Sequence, residues 1–130
     1  MNIVVAYRKS PLKTKLLEKA IEQARTFGGT IYLVTSLPGG PRQSVEELDE
    51  SQNALDEAVQ IVEKENIPCE DHLLVQGQSS GEDIVQFAQD HSAELIIIGV
   101  EKKSKVGKFI MGSTAQHVVL QADCPVITVK

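Results

Sequence analysis

Five short apolar runs alternate with four stretches of helical periodicity, and this alternation limits the possible folds more than any other feature of the chain. The runs fall in Asn2 to Tyr7 (around Ile3-Val4-Val5), Thr30 to Thr35, Glu70 to Val75, Leu95 to Gly99 and Cys124 to Val129. Runs this short, rich in β-branched and aliphatic residues and bounded by turn residues, read as strands. Leu95-Ile96-Ile97-Ile98 has no polar member, so it is expected at the centre of a sheet covered on both faces. Only the second half of Glu70 to Val75 is apolar, which makes it the weakest of the five.

The intervening segments carry apolar residues three and four apart. Leu12, Leu16, Leu17, Ala20, Ile21 and Ala24 form the first stripe, closed by Gly28-Gly29. Ser10 before Pro11 predicts an N-cap with proline at the first helical position. Val45, Leu48, Leu55, Ala58, Val59 and Val62 form the second, with Ser44 and Glu47 spaced as a capping box. Polar residues at 51 and 52 interrupt this stripe, so its first turns are expected to be loosely held. Ile84, Val85, Phe87 and Ala88 form a third after cap candidates Ser79 and Ser80, and Ala115, Val118, Val119 and Ala122 a fourth. The order β-α-β-α-β-α-β-α-β predicts an α/β fold with a parallel sheet and helices on both faces, and 130 residues suit a single domain over 1–130.

The chain carries 13 basic and 18 acidic residues, a formal charge of −5. General nucleic-acid binding is therefore not expected. No run approaches 18 apolar residues, and the N-terminal segment lacks a basic region followed by an apolar stretch. The expectation is a cytoplasmic protein without a membrane partner. Cys69 and Cys124 lack metal-ligand spacing and read as reduced thiols.

Against this acidic background, Gly99 to Ala115 stands out. It follows the apolar run ending at Ile98, contains Lys102, Lys103, Lys105 and Lys108 with Gly99, Gly107 and Gly112, and leads into a helix opening with Ser113-Thr114. A strand, a Gly- and Lys-rich loop and a helix N-terminus form an anion site in α/β proteins. Glycine lets the backbone approach closely, and the first helical N–H groups have no partner within the helix. The plainer reading is that the glycines make turns and the lysines are solvated. Arg8-Lys9 follows the first strand, so if the first and fourth strands are neighbours, six cations meet at one end of the sheet.

Other motifs carry less. Gly107-Lys108 is not a P-loop, because Phe109 follows where Ser or Thr is required. His117 lies four residues after Ser113, but an orienting acid and oxyanion donors are missing. His72 and His91 have no metal-ligand spacing with the cysteines, and no paired carboxylates mark an acid/base centre. No enzymatic activity is expected from these residues.

Gly112-Ser113-Thr114-Ala115 through Ala122-Asp123-Cys124-Pro125-Val126, with the Ile98-Gly99 strand end and Gly77, resembles the universal stress protein family (the UspA-like domain). The resemblance covers essentially the whole chain. It implies an adenine nucleotide alpha hydrolase-like fold, with five parallel strands in the order 3-2-1-4-5 and two helices on each face. It also implies a homodimer joined through the last strand, Val126 to Val129, and a role in stress sensing or regulation. ATP-binding members share a signature of Gly, two residues, Gly, nine residues, Gly, then Ser or Thr. On this chain it falls on Gly99, Lys102, Gly112 and Ser113, with lysine in place of the middle glycine.

Nucleotide-binding relatives usually have Asp-Gly-Ser after the first strand, where this chain has Arg8-Lys9-Ser10. A carboxylate that accepts hydrogen bonds from the adenosine part is thus replaced by a guanidinium, which has no acceptor. The family's adenine-side contact falls near Ser36, where a small apolar residue is common. The resemblance therefore implies ATP, with Mg²⁺, or another phosphate-bearing ligand, held by Gly99, Lys102, Gly112, Ser113 and Thr114. Arg8 and Ser36 would border the nucleoside. Three readings of Arg8 stand open: a phosphate contact, a plug in the adenosine pocket, or a salt bridge to a neighbouring carboxylate. The competing functional class is a dimeric adaptor that binds no nucleotide, its crevice filled by Arg8 and Lys102.

Overall fold

The computed structural model describes residues 1–101 and 111–130. Its elements run β1 (Asn2–Ala6), α1 (Lys13–Phe27), β2 (Thr30–Ser36), α2 (Val45–Glu63), β3 (Cys69–Leu74), α3 (Ser80–Asp90), β4 (Leu95–Gly99), α4 (Ser113–Gln121) and β5 (Val126–Val129). The strands form one parallel sheet in the order β3-β2-β1-β4-β5. The alternation in the sequence and the strand order implied by the resemblance are both observed.

Each central strand is buried on both faces, because successive side chains point to opposite sides of the sheet. Ile3, Val5, Leu33 and Ile97 face α1 and α2, packing on Leu16, Leu17, Ala20, Leu55, Ala58 and Val62. Val4, Val34, Ile96 and Ile98 face α3 and α4, packing on Ile84, Val85, Phe87 and Val118. The unbroken apolar run of β4 follows from this: both of its faces are covered.

Two local expectations shift. The helix α1 begins at Lys13, not at Pro11. Ser10 forms a turn ahead of it, its hydroxyl accepting from Leu12 N at 3.2 Å and its carbonyl from Lys13 N at 3.1 Å. The same serine oxygen serves an N-cap or a preceding turn, so the sequence places it correctly but starts the helix too early. In α2, Ser44 caps Glu47 N at 3.1 Å as expected, while the Glu47 carboxylate takes a hydrogen bond from Gln43 Nε2. Val45 is 71% exposed and full burial starts at Leu55, so the early turns of α2 make little core contact.

Gly29, the second of the glycine pair after α1, is required by space as well as by conformation. Gly29 has φ 139°, and a Cβ there would lie 1.9 Å from the carbonyl oxygen of Met1. That oxygen accepts from Thr30 N at 2.9 Å, which brings the start of the chain against the start of β2.

From β1 the chain adds strands to one side, β2 then β3, and returns to place β4 on the other side of β1. Connections leaving β1 and β4 therefore diverge, and a crevice opens beyond their carboxyl ends.

Candidate functional site

The crevice is lined by the ends of β1 (Ala6), β2 (Thr35, Ser36) and β4 (Ile98, Gly99), by Tyr7, Arg8, Ser10 and Glu101 of the loops, and by Ser80 of α3 and Thr114 of α4. Leu12 and Leu16 close its α1 side. Backbone bonds fix the strand exits. Tyr7 N donates to Val34 O at 2.9 Å, and the buried Thr35 hydroxyl donates to Tyr7 O at 2.8 Å. On the other flank, Val100 N donates to Val129 O at 2.7 Å. The loops thus leave the sheet from anchored points.

Two helices point their N-termini into this crevice. Gly112 is the N-cap of α4, with extended backbone (φ −65°, ψ 159°) and its carbonyl accepting from Gln116 N at 3.0 Å. Ser79 caps α3, its hydroxyl accepting from Glu82 N at 3.3 Å. The two helices approach closely because residue 81 is glycine: a Cβ there would meet His117 Cβ at 2.7 Å. Helix N-termini carry partial positive charge and unpaired N–H groups, and α4, with no acidic residue in its first turn and no side-chain cap, is the one that attracts an anion, whereas α3 carries Glu82 and Asp83 there.

Of the residues singled out by sequence, Arg8, Ser36, Gly99 and Thr114 line the crevice together. Gly112 and the exposed Ser113 form the cap and first residue of α4. Lys102, Lys103, Lys105 and Lys108 lie outside the described residues. β1 and β4 are neighbours, as the expected convergence of cations required.

Arg8 takes the plainest of its three readings. Its guanidinium pairs with Glu101 at 3.5 Å, the arginine side chain 64% exposed and the glutamate 31%. This ion pair joins the loop after β1 to the segment after β4. It is exposed enough for solvent and salt to weaken it greatly.

Two contributors went unnoticed in the sequence, Glu101 and Asp83, and Ser80, expected as a helix cap, lines the crevice instead. Asp83 is 1% exposed, on the face of α3 turned to the sheet. The Ser36 hydroxyl donates to its Oδ2 at 2.5 Å, and Gln78 Nε2 donates to its Oδ1 at 2.9 Å. Asp83 lies four residues before the inward-facing Phe87, so a polar residue at an inward helical position was the signal available.

The remaining reactive groups do not form a catalytic set. Burial pushes the Cys69 thiol up to about 12, with Glu63, Asp71 and Glu70 adding to the effect. Burial also raises Cys124, with Asp123 contributing. Both are held as thiols, the unreactive form. His72 and His91 belong to a ring cluster with Tyr32 and Phe87, in which Phe87 and His91 stack at 3.8 Å between centroids. Among the described residues, no three His, Cys, Asp or Glu side chains group as a metal site, and no helix is long and apolar enough to cross a membrane.

The model of the universal stress protein family matches residues 1–130. The chain belongs to the universal stress protein family. A universal stress protein of Thermus aquaticus is 31% identical, covering 99% of this chain and 98% of the relative. A solved universal stress protein from Archaeoglobus fulgidus is 43% identical with TM-score 0.91, over 99% of this chain and 97% of its own. A structure described as the universal stress protein from Archaeoglobus fulgidus in complex with dAMP is 39% identical with TM-score 0.83, over 99% and 96%. The universal stress fold, adenine nucleotide alpha hydrolase-like, is thus shared along nearly the whole length.

Proposed function

We propose that this chain binds a nucleotide in the crevice beyond β1 and β4 and acts as a stress-response sensor or regulator rather than an enzyme. The observation that carries the reading is that Thr114, in the first turn of the helix capped by Gly112, lines one crevice with Gly99 and Ser36. The phosphate sits at α4, held by backbone N–H groups and the Ser113 and Thr114 hydroxyls. Lys102 adds charge, and the nucleoside runs towards β2. The structure of a 39%-identical relative in complex with dAMP supports an adenine nucleotide as the ligand class. ATP with Mg²⁺ fits the same orientation, the ion arriving on the nucleotide's own phosphates. The protein works in the cytoplasm, without nucleic-acid or membrane partners.

Pairing of two copies through β5 completes the assembly. β5 is an edge strand whose Val126 and Ile127 are only half-buried within the chain, and a two-fold mate would cover them. Sedimentation of the purified protein should give a dimer mass.

The test is to purify the protein without added ligand, denature it and identify released small molecules by mass spectrometry, alongside thermal melts with millimolar Mg-ATP and AMP. A released nucleotide, or a rise in Tm with either compound, is expected. A blank extract with unchanged melting would overturn the reading in favour of the dimeric adaptor. The Arg8–Glu101 pair favours that second reading, because it commits the guanidinium at the mouth of the crevice to a carboxylate of this chain.

A further inference from the structure

We infer that Asp83 is a positioning residue that turns the Ser36 hydroxyl into an obligate hydrogen-bond acceptor, so that the β2 end of the crevice selects a ligand bearing an N–H or O–H donor there. The inference rests on the nucleotide reading and adds the chemistry of its nucleoside end.

A serine hydroxyl has one proton and two lone pairs, and in a free serine it rotates to suit either kind of partner. Ser36 is not free. Its proton is committed to Asp83 Oδ2 at 2.5 Å. Asp83 is itself held, 1% exposed on the first turns of α3, with Gln78 Nε2 occupying Oδ1 at 2.9 Å. A carboxylate buried to this degree is costly to leave unpaired, so the Ser36 proton stays with it. Ser36 lines the crevice, and what its hydroxyl can offer a ligand there is lone pairs alone.

Distance places this acceptor at the nucleoside end. In the sheet order β2-β1-β4, neighbouring strands are spaced by about 4.8 Å, so the β2 exit lies about 10 Å from the β4 exit. A phosphate at Gly99 and α4 therefore leaves the sugar and base to span Arg8 and end near Ser36. Arg8 offers only donors on that path. Ser36 backed by Asp83 thus supplies an acceptor from α3, in a crevice whose β1 loop presents a guanidinium.

The experiment is a calorimetric titration of the full-length protein with AMP, with purine riboside 5′-monophosphate (base amino donor removed) and with 2′-deoxy-AMP (sugar donor removed). Wild type, Ser36→Ala, Asp83→Ala and Asp83→Leu are compared. For wild type, one donor deletion is expected to weaken binding about tenfold, equivalent to one hydrogen bond. That penalty should shrink below about twofold in Ser36→Ala, which removes the acceptor, and fall partway in Asp83→Ala and Asp83→Leu, where the freed hydroxyl still accepts but is no longer held in place. Which analogue carries the penalty tells whether the donor is on base or sugar. Equal penalties in wild type and Ser36→Ala would overturn the inference while leaving nucleotide binding intact. If no compound binds to wild type, the nucleotide reading falls and this inference with it. Should Asp83→Ala fail to fold, Asp83→Leu serves the same comparison, and a penalty equal to wild type in the folded Asp83 variant would overturn the positioning role.

Discussion

The two ends of the crevice are built on different principles. At the β4–α4 end the anion-attracting groups are backbone: the cap at Gly112, the first N–H groups of α4 and the strand exit at Gly99. At the β1–β2 end the lining consists of side chains engaged with one another, Arg8 with Glu101 and Ser36 with Asp83. Backbone groups persist whatever side chain stands at a position, provided the helix still starts there. Side-chain groups are replaced one residue at a time. On the proposed reading, phosphate contacts rest mainly on backbone and nucleoside contacts on side chains, and it is among the latter, at Arg8-Lys9, that this chain departs from the usual family pattern.

The largest expected effect tests the backbone end. Ser113→Pro removes one helical N–H and the hydroxyl while placing proline at the first helical position, where it is tolerated. The preceding Gly112 has ψ 159°, which suits a residue before proline. Nucleotide affinity should fall about 10- to 100-fold, against a few-fold for Ser113→Ala, with circular dichroism unchanged. If the two variants weaken binding equally, the hydroxyl and not the backbone holds the phosphate.

An intermediate effect tests whether the two helix N-termini need each other. Gly81→Ala inserts a methyl 2.7 Å from His117 Cβ, and overpacking of this kind costs about 1–3 kcal/mol. Urea unfolding should show that loss, and Gly81→Ala/His117→Ala should recover part of it. Recovery absent from the double variant would mean that the contact is not where the strain arises.

The smallest effect concerns the ion pair. Glu101→Gln frees Arg8 and removes a negative charge from the crevice, so anion affinity should rise by about two- to fivefold at low salt and less at high salt. A fall in affinity would show that Glu101 itself contacts the ligand.

How far the sequence reached differs between the two ends for the same reason. Strand runs such as Leu95–Ile98 and the stripe from Ile84 to Ala88 announce themselves locally, and so does a Gly-Ser-Thr helix start. The Ser36–Asp83 bond joins residues 47 positions apart. Nothing near Ser36 points to its partner; only the polar residue at an inward position of α3 hinted at it. Arg8 and Glu101 are separated by most of the chain, and their meeting follows from β4 returning beside β1. The early start expected for α1 had a local cause, since Ser10 satisfies the same backbone donors in a turn that an N-cap would satisfy in a helix.

The contact at Gly81 has a mechanical consequence. α3 and α4 come within near-touching distance there, so their spacing depends on the absence of a side chain at residue 81. The same helix α3 holds Asp83, which is bonded to the last residue of β2. The two ends of the crevice are therefore joined through the helix pair as well as through the sheet.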